Sequence, residues 1–473
     1  MKENSINIVT MEKIVSLCKR RGFIFPGSEI YGGLAGTFDY GPLGVTLKKN
    51  IENIWWRMFV DDRTDMYGVD AAILMNPKAW VASGHVGGFS DPMIECPKCK
   101  KRHRADNVAV QFNDEIKETL GNLQYPDSTF SNIDSLNNFY KINNITCPDC
   151  KNSLRGQECR QFNMMFSTNV GPIQSDDSVT YLRPETAGGM FVNFKNVVDT
   201  MHPKLPFGMG QIGKAFRNEI APRDFIFRVR ELEQMEIEYF VRPENWQEYF
   251  EHFRLEMHRF IETIGLDKAL VHELEVTGDD LAHYSKRTID FEFDYPFGRK
   301  ELYGLAYRGD FDLSAHKLDY FDEECGEKMV PHVIEPSFGV GRTLLAVLCC
   351  AYKEDTSNPD EVRPYLALTP RIAPIKIAVF PLLKNKEILT EKAKSLYNAL
   401  KKEFGAVVYD ETGSIGKRYR KQDEIGTPFC VTVDFDTIEG EHEGTVTLRD
   451  RDTGKQERLT EEELFYKIKN ALN

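Results

Sequence analysis

The stretch from Gly213 to Phe240, GKAFRNEIAPRDFIFRVRELEQMEIEYF, constrains the fold more than any other part of this sequence. Two strand-like runs flank a polar loop, and alternation with a period of two predicts one charged face and one apolar face for the second run. The charged face comprises Arg230, Gln234, Glu236 and Glu238, and the apolar face comprises Met235, Ile237, Tyr239 and Val241. The alternative is an ordinary exposed hairpin, although a solvated face would more usually be rich in Lys, Ser or Thr.

Strand-like runs with the same period dominate the first three quarters of the chain, at about 206–220, 228–241, 288–294 and 301–308. They predict an α+β core, in which an antiparallel sheet carries scattered helices. After the Pro-rich segment between Lys353 and Pro374, a strand, a helix and a strand indicate a separate α/β domain. We therefore place a first domain at 1–372, with a Cys-bounded insertion at about 90–160, and a second domain at 373–473.

Composition excludes several classes of protein. The chain has 473 residues and a formal net charge of −13, which argues against a general nucleic-acid coat but not against a specific nucleic-acid partner. No apolar run approaches membrane-spanning length, and the N-terminus has no secretory pattern, so we expect a cytoplasmic protein with no membrane partner. Its ten cysteines are then expected to be reduced thiols or metal ligands.

The hairpin carries side chains that suit a nucleotide. Arg217 and Glu219 are two residues apart, so a strand would point both to one face. A guanidinium can hold a phosphate and stabilise charge that develops there, and a carboxylate can accept a hydrogen bond from an exocyclic amine. Phe227 could stack on a base, and Arg228 and Arg230 add positive charge.

Three further segments carry candidate chemistry. In EPSFGVGR, Arg342 falls in the first turn of a predicted helix, where anions are favoured, although the segment could also be a mere turn before a buried helix. In RPETAGG, Glu185 lies between Pro184 and a Gly-rich turn. Glu301 starts a strand as a plausible Mg²⁺ ligand, whereas Arg308 and its two following aspartates could form a structural ion pair.

These segments together resemble the class II aminoacyl-tRNA synthetases. Arg217–Asn218–Glu219 with its loop looks like motif 2 of that class, Gly339 to Arg342 like motif 3, and DYGPLGVTLKKNIENIWWRMFV like the motif 1 region at the dimer interface. Together with RPETA, EQMEIEYF and EPSFGVGR, the pattern is close to the dimeric glycyl-tRNA synthetases. The tail GSIGKRYRKQDEIGTPFCVTVD resembles the anticodon-binding domain of the same subclass.

The resemblance implies an enzyme that activates glycine with ATP and transfers it to the 3′ end of tRNA(Gly) as a homodimer. It implies the catalytic residues Arg217, Glu219 and Arg342. It implies ATP-binding residues Arg217, Asn218, Glu219, Phe227, Arg228, Val229, Arg230, Glu231, Leu232, Glu301, Leu302, Gly339, Val340, Gly341 and Arg342, with Mg²⁺ on Glu301. The implied glycine-binding residues are Arg104, Glu185, Leu232, Glu233, Gln234, Met235, Glu236, Arg308, Glu335, Pro336, Ser337, Phe338 and Gly339.

Three positions depart from the family pattern. Gly188 stands where Gln usually follows RPETA, Gly309 stands where Thr usually follows the Arg, and Leu232 replaces a usual Phe. None of the three removes a charged catalytic group. We expect Gly188 to loosen the wall of the amino-acid pocket.

Two CxxC pairs bound the insertion. Cys96 with Cys99, and Cys147 with Cys150, can each clamp one side of a tetrahedral zinc ion, so we expect a structural Zn²⁺ at the base of the insertion. The alternative is four unligated thiols.

Basic residues cluster around an aromatic ring in the second domain. The expected tRNA-binding residues are Lys417, Arg418, Tyr419 and Arg420, since phosphates can be neutralised and a base stacked there. A lone cluster of this kind would normally be a solvated charged turn, and it is the resemblance that favours tRNA.

Two rival functions stay open. One is a sibling enzyme that charges another small amino acid, and the other is a non-catalytic relative that binds only RNA or a partner. The second rival is disfavoured by the presence of Arg217, Glu219, Glu301 and Arg342, because a site that no longer catalyses a reaction has no need of all four.

Overall fold

A computed structural model gives the fold of this chain. It describes residues 9–120, 125–126, 128–173, 175, 178–278, 281–282, 284–323, 325–356 and 362–472. Residues 121–124 of the predicted insertion and 357–361 of the predicted linker lie outside these ranges. Within the described ranges, no helix has both the length and the apolar character needed to cross a bilayer.

The N-terminal third builds one edge of the core and the predicted insertion. Its first elements are α1 (Met11–Arg21), β1 (Ile24–Pro26), β2 (Phe38–Tyr40), α2 (Pro42–Trp56) and β3 (Met66–Gly68). Then follow α3 (Pro77–Ala82), α4 (His85–Gly88), β4 (Ser90–Glu95), β5 (Arg102–Arg104), α5 (Ala105–Leu120), α6 (Ser128–Ser131), α7 (Ile133–Ile142) and β6 (Arg160–Asn163). Strands β4, β5 and β6 form a small antiparallel sheet, on which α5 and α7 build a separate hydrophobic cluster.

The middle of the chain supplies most of the central sheet. Its elements are β7 (Ser167–Asn169), β8 (Val179–Tyr181), α8 (Ala187–Met201), β9 (Phe207–Phe216), β10 (Glu231–Val241), α9 (Trp246–Thr263), β11 (Val271–Val276), β12 (Arg287–Tyr295), β13 (Gly298–Gly309), α10 (Phe311–Ala315), β14 (Tyr320–Asp322), β15 (Glu327–Met329), β16 (His332–Gly339) and α11 (Val340–Ala351). The seven strands of the sheet lie in the order β11-β12-β13-β16-β10-β9-β3. All neighbours are antiparallel except β3 and β9, which confirms the predicted antiparallel core.

The alternation predicted for β10 is confirmed. Met235, Ile237, Tyr239 and Val241 belong to the main hydrophobic cluster, in which α2, α9 and α11 cover one face of the sheet. Gln234, Glu236 and Glu238 point to the opposite face, yet all three are buried. The charged face of the hairpin is therefore the floor of an internal site and not a solvated surface.

The first strand of the hairpin is shorter than predicted. Arg217 N still donates to Arg230 O at 2.9 Å, but Asn218 N donates to Met164 O, 2.7 Å away in another segment. The chain thus leaves the sheet after Phe216, and Arg217 and Glu219 lie in a loop. The expectation that a strand points both to one face is wrong for this reason.

The C-terminal part is an α/β unit. After β17 (Tyr352–Asp355) and β18 (Arg363–Leu366) come β19 (Ile377–Pro381), α12 (Glu387–Phe404), β20 (Val407–Tyr409), α13 (Ile415–Ile425), β21 (Phe429–Val433), α14 (Phe435–Ile438), β22 (Thr445–Asp450), β23 (Gln456–Thr460) and α15 (Glu461–Leu472). The sheet order is β20-β19-β21-β22-β23, with β20, β19 and β21 parallel. Helices α12 and α15 cover one face, and α13 packs on the other.

Polar contacts join α13 to the N-terminal part. Arg21 on α1 forms an ion pair with Glu424, and Arg363 on β18 donates to Asp423 at 2.9 Å. Asp423 is buried and also accepts hydrogen bonds from Arg449. The main hydrophobic cluster includes Ala373 and also Ile425 of α13, and the cluster of the C-terminal sheet begins at Ile377.

Candidate active site

A cavity of about 380 Å³ lies on the charged face of the central sheet. Many of the predicted ligand-binding residues meet there. Those that line it are Glu185, Arg217, Glu219, Phe227, Arg228, Val229, Glu231, Leu232, Glu233, Gln234, Glu236, Glu301, Leu302, Glu335, Ser337, Gly339, Gly341 and Arg342. Its volume lies in the usual range for small-molecule sites.

Other residues proposed from the sequence do not line this cavity in the part of the chain that the structure describes. They are Arg104, Asn218, Arg230, Met235, Arg308, Pro336, Phe338 and Val340. Met235, Phe338 and Val340 are core residues, because strand alternation and the start of α11 turn them to the helical side of the sheet. The prediction that these three side chains contact a ligand is therefore wrong.

Arg104 does not lie at the amino-acid end of the cavity. Its guanidinium forms ion pairs with Asp91, at 3.1 Å, and with Asp106. The charge that was expected to approach glycine is thus matched by acids of the insertion itself, on β4 and α5. Arg230 also has a supporting role, since it donates to the backbone oxygens of Ala35 and Glu219.

Three carboxylates lie at one end of the cavity: Glu185, Glu236 and Glu335. Glu236 accepts hydrogen bonds from the Thr186 hydroxyl and, at 2.8 Å, from the Ser337 hydroxyl. Register brings these groups together, because Glu236 on β10 is paired with Ser337 on β16. Burial, and secondly the charge of Glu185, raise the pKa of Glu236.

Arg308 anchors this acidic end from behind. Its guanidinium donates to both oxygens of Asp312, at 2.6 and 2.7 Å, and to Glu335. All three side chains are buried. Burial nevertheless raises the pKa of Glu335 to about 8, and Glu236 and Glu185 add to the rise while Arg308 opposes it. The alternative of a structural ion pair is thus confirmed for Arg308 with Asp312, whereas Asp310 pairs with Lys286.

The other end of the cavity is cationic. Arg217 Nε donates to Pro184 O at 3.0 Å, and its guanidinium lies 5.5 Å from the centre of the Phe89 ring. Arg228 Nε donates to Glu219 Oε2 at 2.8 Å. Arg217 is near Glu185 at the acidic end and near Glu301 at the other end, because its charge acts on both carboxyls.

Arg342 lies against an aromatic ring. Its guanidinium lies 4.7 Å from the centre of the Phe227 ring and pairs with Glu301 at 2.9 Å. Phe227 in turn meets Tyr295 edge to face at 5.1 Å. The charge of Arg342 is the main cause that lowers the pKa of the Glu301 carboxyl. A flat ligand could be held between the ring and the guanidinium.

Sequence reasoning missed one acid of this end, Asp290 on β12. Burial, Glu301 and Glu292 raise its pKa to about 7. The run TIDFEFDY alternates polar and apolar residues, so Thr288, Asp290 and Glu292 share a face, and that pattern could have identified it. Glu301 and Asp290 place two carboxyl groups beside Arg342 within this end, and carboxylate oxygens are ligands that suit a divalent cation.

Two of the three departures from the family pattern have a local explanation. A Cβ at Gly188 would lie 2.8 Å from Cζ3 of the buried Trp80, so the indole fills the space beside this residue. Gly188 therefore does not open the wall of the cavity, contrary to expectation. Gly309 has φ +62°, a conformation that glycine adopts without strain. Leu232 lines the cavity as expected.

The two CxxC pairs converge on one point. Cys96 Sγ is 3.6 Å from Cys150 Sγ, Cys99 Sγ is 3.7 Å from Cys147 Sγ, and all four sulfurs lie within 4.8 Å of one another. Tetrahedral zinc with bonds of about 2.3 Å requires sulfurs about 3.8 Å apart. The turns that follow the two CxxC pairs share a backbone conformation, since Lys100 and Lys151 both have left-handed φ angles. The four thiols therefore fit a zinc ion.

The basic cluster of the second domain lies on α13, not in a turn. Lys417 and Arg420 are exposed, whereas Arg418 is buried and donates to the backbone oxygens of Pro381, Leu382 and Asp410. The Tyr419 hydroxyl bonds Thr432 at 2.6 Å. Arg418 is thus committed to the fold, which corrects its assignment to tRNA, and the Tyr419 ring packs in the small cluster beneath α13.

Comparisons with known proteins agree with this arrangement. A family model described as "tRNA synthetase class II core domain (G, H, P, S and T)" matches residues 167–350, and one described as "Anticodon binding domain" matches residues 376–471. The chain is similar to proteins named glycine–tRNA ligase. Those of Acetivibrio thermocellus and Clostridium acetobutylicum are 49% and 50% identical, each over 96% of this chain and 97% of the relative. That of Ruminiclostridium cellulolyticum is 48% identical over 98% of both chains.

Proposed function

The chain belongs to the glycine–tRNA ligases, a family of class II aminoacyl-tRNA synthetases, and on that premise we propose how its cavity divides the two substrates of amino-acid activation. ATP occupies the cationic end and glycine the acidic end. The observation that carries this proposal is the opposition of three carboxylates, Glu185, Glu236 and Glu335, to the arginines at the other end of one cavity. An α-amino acid presents an ammonium group to the first and a carboxylate to the second.

In the first step a carboxylate oxygen of glycine attacks the α-phosphorus of ATP, and pyrophosphate leaves. Arg217 lies between the two ends and stabilises the charge that grows on the α-phosphate oxygens. The ribose hydroxyl at the 3′ end of tRNA then takes the glycyl group, and AMP leaves. No side-chain nucleophile is needed, because the residues position the substrates and offset charge.

The adenine base enters between Phe227 and Arg342. The present separation of 4.7 Å is too short for a third layer, since each stacked layer needs about 3.5 Å. Arg342 must therefore withdraw from the ring by roughly 2 Å when the base binds. Glu219, buried and held by Arg228, is placed to accept from the exocyclic amine.

Glu301 and Asp290 are the residues that would hold Mg²⁺. Burial, and then the charges of Glu301 and Glu292, raise the pKa of Asp290, and a bound cation would offset those charges. Magnesium would neutralise the phosphates of ATP in this position. Zinc on the four cysteines, by contrast, would hold the two CxxC pairs of the insertion together and would take no part in the reaction.

Three further assignments rest on the family. A homodimer through the region of α2 is supported by Ile30 and Tyr31, which are 89% and 86% exposed on the neighbouring loop. Lys417 and Arg420 are the residues of α13 that would meet tRNA(Gly). Protein synthesis places such an enzyme in the cytoplasm.

Selectivity for glycine follows from size. A hydrophobic pocket discriminates one methylene by only about 1–3 kcal/mol, whereas rigid steric exclusion can exceed that. Buried acids that are hydrogen-bonded or ion-paired, as Glu236 and Glu335 are, give the pocket such a rigid wall. A separate editing domain is therefore not required.

Amino-acid-dependent ATP–pyrophosphate exchange tests the proposal. The purified protein is assayed with glycine, alanine, serine, proline and threonine in parallel, and then with tRNA(Gly) for aminoacylation. We expect exchange with glycine at least about 100-fold above the others. Stronger exchange with another amino acid would favour the sibling enzyme, and no exchange with any of them would favour the non-catalytic alternative.

A further inference from the structure

A short helical segment upstream of the matched core packs against the acidic end of the cavity. Within it, His85 Nε2 lies 3.3 Å from Glu185 Oε2, and His85 Nδ1 lies 2.8 Å from the Ser83 hydroxyl. Both ring nitrogens of this histidine are therefore engaged. The segment lies outside residues 167–350, so the class II core domain by itself does not include this histidine.

Aromatic packing fixes the imidazole. Trp80 meets the ring edge to face, with centroids 5.4 Å apart and planes at 78°, and Phe89 lies 5.5 Å away. Trp80 is fully buried and rests on Gly188, where even a Cβ would lie 2.8 Å from its Cζ3 atom. A turn of the His85 ring toward Trp80 would therefore press the indole into the helix that begins at Ala187.

Glu185 needs an external partner of this kind. It follows Pro184 at the end of an irregular segment, so no strand ladder orients its side chain. The other two acids have their own partners, Thr186 and Ser337 for Glu236, and Arg308 for Glu335. A carboxylate that receives an ammonium group must be held in one orientation to bind it well.

We propose that His85 is a positioning residue for the amino acid: its Nε2 holds the Glu185 carboxylate in the orientation that receives the ammonium group. This inference rests on the proposed function, in which Glu185 belongs to the glycine site. It adds a residue to that site which neither the family pattern nor the cavity lining includes.

The same contact couples amino-acid binding to pH. Glu185, Arg308 and Arg217 face His85, and Glu236 and Glu335 share the acidic end with Glu185. Burial lowers the pKa of His85, but the adjacent Glu185 outweighs it and the net change is upward. When His85 is charged it offsets the charge of Glu185, so the ammonium group binds less tightly. KM for glycine should therefore rise as pH falls from about 8 to about 6.

Two substitutions of His85 test the role, with His442→Ala on the exposed surface of the second domain as a control. His85→Ala removes the partner of Glu185. His85→Gln keeps a donor at the position of Nε2 but cannot take up a proton. Glycine-dependent exchange is measured for each variant, with separate KM values for glycine and ATP between about pH 6 and pH 8.

We expect His85→Ala to raise KM for glycine about tenfold, with KM for ATP within about twofold of the parent value. His85→Gln should recover most of this loss and should flatten the pH profile, leaving only the contribution of groups such as Glu335. Equal loss for both substrates without rescue by Gln, or an unchanged KM for glycine in His85→Ala, would overturn the proposal. A poorly folded Ala variant leaves the Gln profile decisive: a pH dependence equal to that of the parent refutes the role. Failure of the parent protein to exchange with glycine would instead refute the proposed function.

Discussion

Replacement of Arg308 by Met tests whether the acidic end of the cavity depends on one buried cation. The substitution keeps most of the side-chain volume but removes three hydrogen bonds to carboxylates, two to Asp312 and one to Glu335. It also removes a guanidinium that lies 3.8 Å from the Tyr284 ring centre. Glu238 is buried nearby, and neither of its oxygens has a hydrogen-bond partner among the described residues.

The loss of stability expected for Arg308→Met follows from the burial of Arg308 and its two partners. The side chains of Arg308 and Asp312 are each 3% exposed and that of Glu335 is 10% exposed, so the acids cannot turn to water when the cation is lost. Removal of one partner from a buried ion pair typically costs about 3–5 kcal/mol. For a unit of this size that corresponds to a fall of about 4–6 °C in the unfolding midpoint.

Arg287 on the neighbouring strand provides a matched control. It also makes three hydrogen bonds to carboxylates, to Glu275 and Glu251, and it also lies over an aromatic ring, that of Phe250. Its side chain, however, is 28% exposed. Because water can replace its partners, we expect Arg287→Met to cost no more than about 1 kcal/mol.

Differential scanning calorimetry of Arg308→Met and Arg287→Met at several pH values tests this prediction. The folded pKa of Glu335 is already raised to about 8, and loss of Arg308 raises it further. The parent gains stability from this ion pair once Glu335 ionises, so the deficit of Arg308→Met widens as pH rises past about 8. An equal fall for Arg308→Met and Arg287→Met, or a deficit that narrows with rising pH, would refute the reasoning.

Three further outcomes are expected. Arg217→Ala should lower kcat for glycine-dependent exchange about 100-fold or more, because charge on the α-phosphate loses its partner, and undiminished exchange would remove the mechanistic assignment. The double variant Lys417→Ala/Arg420→Ala should raise KM for tRNA(Gly) in aminoacylation while glycine-dependent exchange stays intact, and loss of exchange in this variant would contradict the division of roles between the two domains. Arg418→Ala should instead lower the thermal stability of the second domain, because Arg418 is bonded to its backbone. Elemental analysis should find one zinc per chain, and Cys99→Ser should lower that value and the unfolding midpoint, whereas substoichiometric zinc in the parent protein would exclude the structural site.

Local pattern was sufficient for much of the fold. The alternation of β10 specified both its strand and its two faces, because side chains on a strand point to opposite sides whatever surrounds it. It also placed Glu236 and Met235 on opposite faces, although the site prediction still included Met235. The short strand, helix and strand after Ile377 identified the second unit in the same way.

Local pattern failed where a segment takes its backbone partners from elsewhere. Asn218 bonds Met164 instead of continuing the hairpin, so the expected strand stops and Arg217 and Glu219 lie in a loop. Arg418 looked like a free cation in a basic run, yet it reaches three backbone oxygens beneath α13. Nothing in the sequence around either residue reports these distant partners.

The sequence by itself determined which long strands of the core form, which face of β10 carries the charged residues, which cysteines can share a metal ion and which family the chain resembles. Only the tertiary structure decided which charges meet. Arg308 and Glu335 come from different strands, and Arg104 finds its partners within the insertion and not at the cavity. His85 reaches Glu185 from a segment far upstream in the chain. Periodicity and propensity are properties of neighbours in the chain, whereas ion pairing in a buried site depends on distances of a few ångströms between segments that only the folded packing brings together.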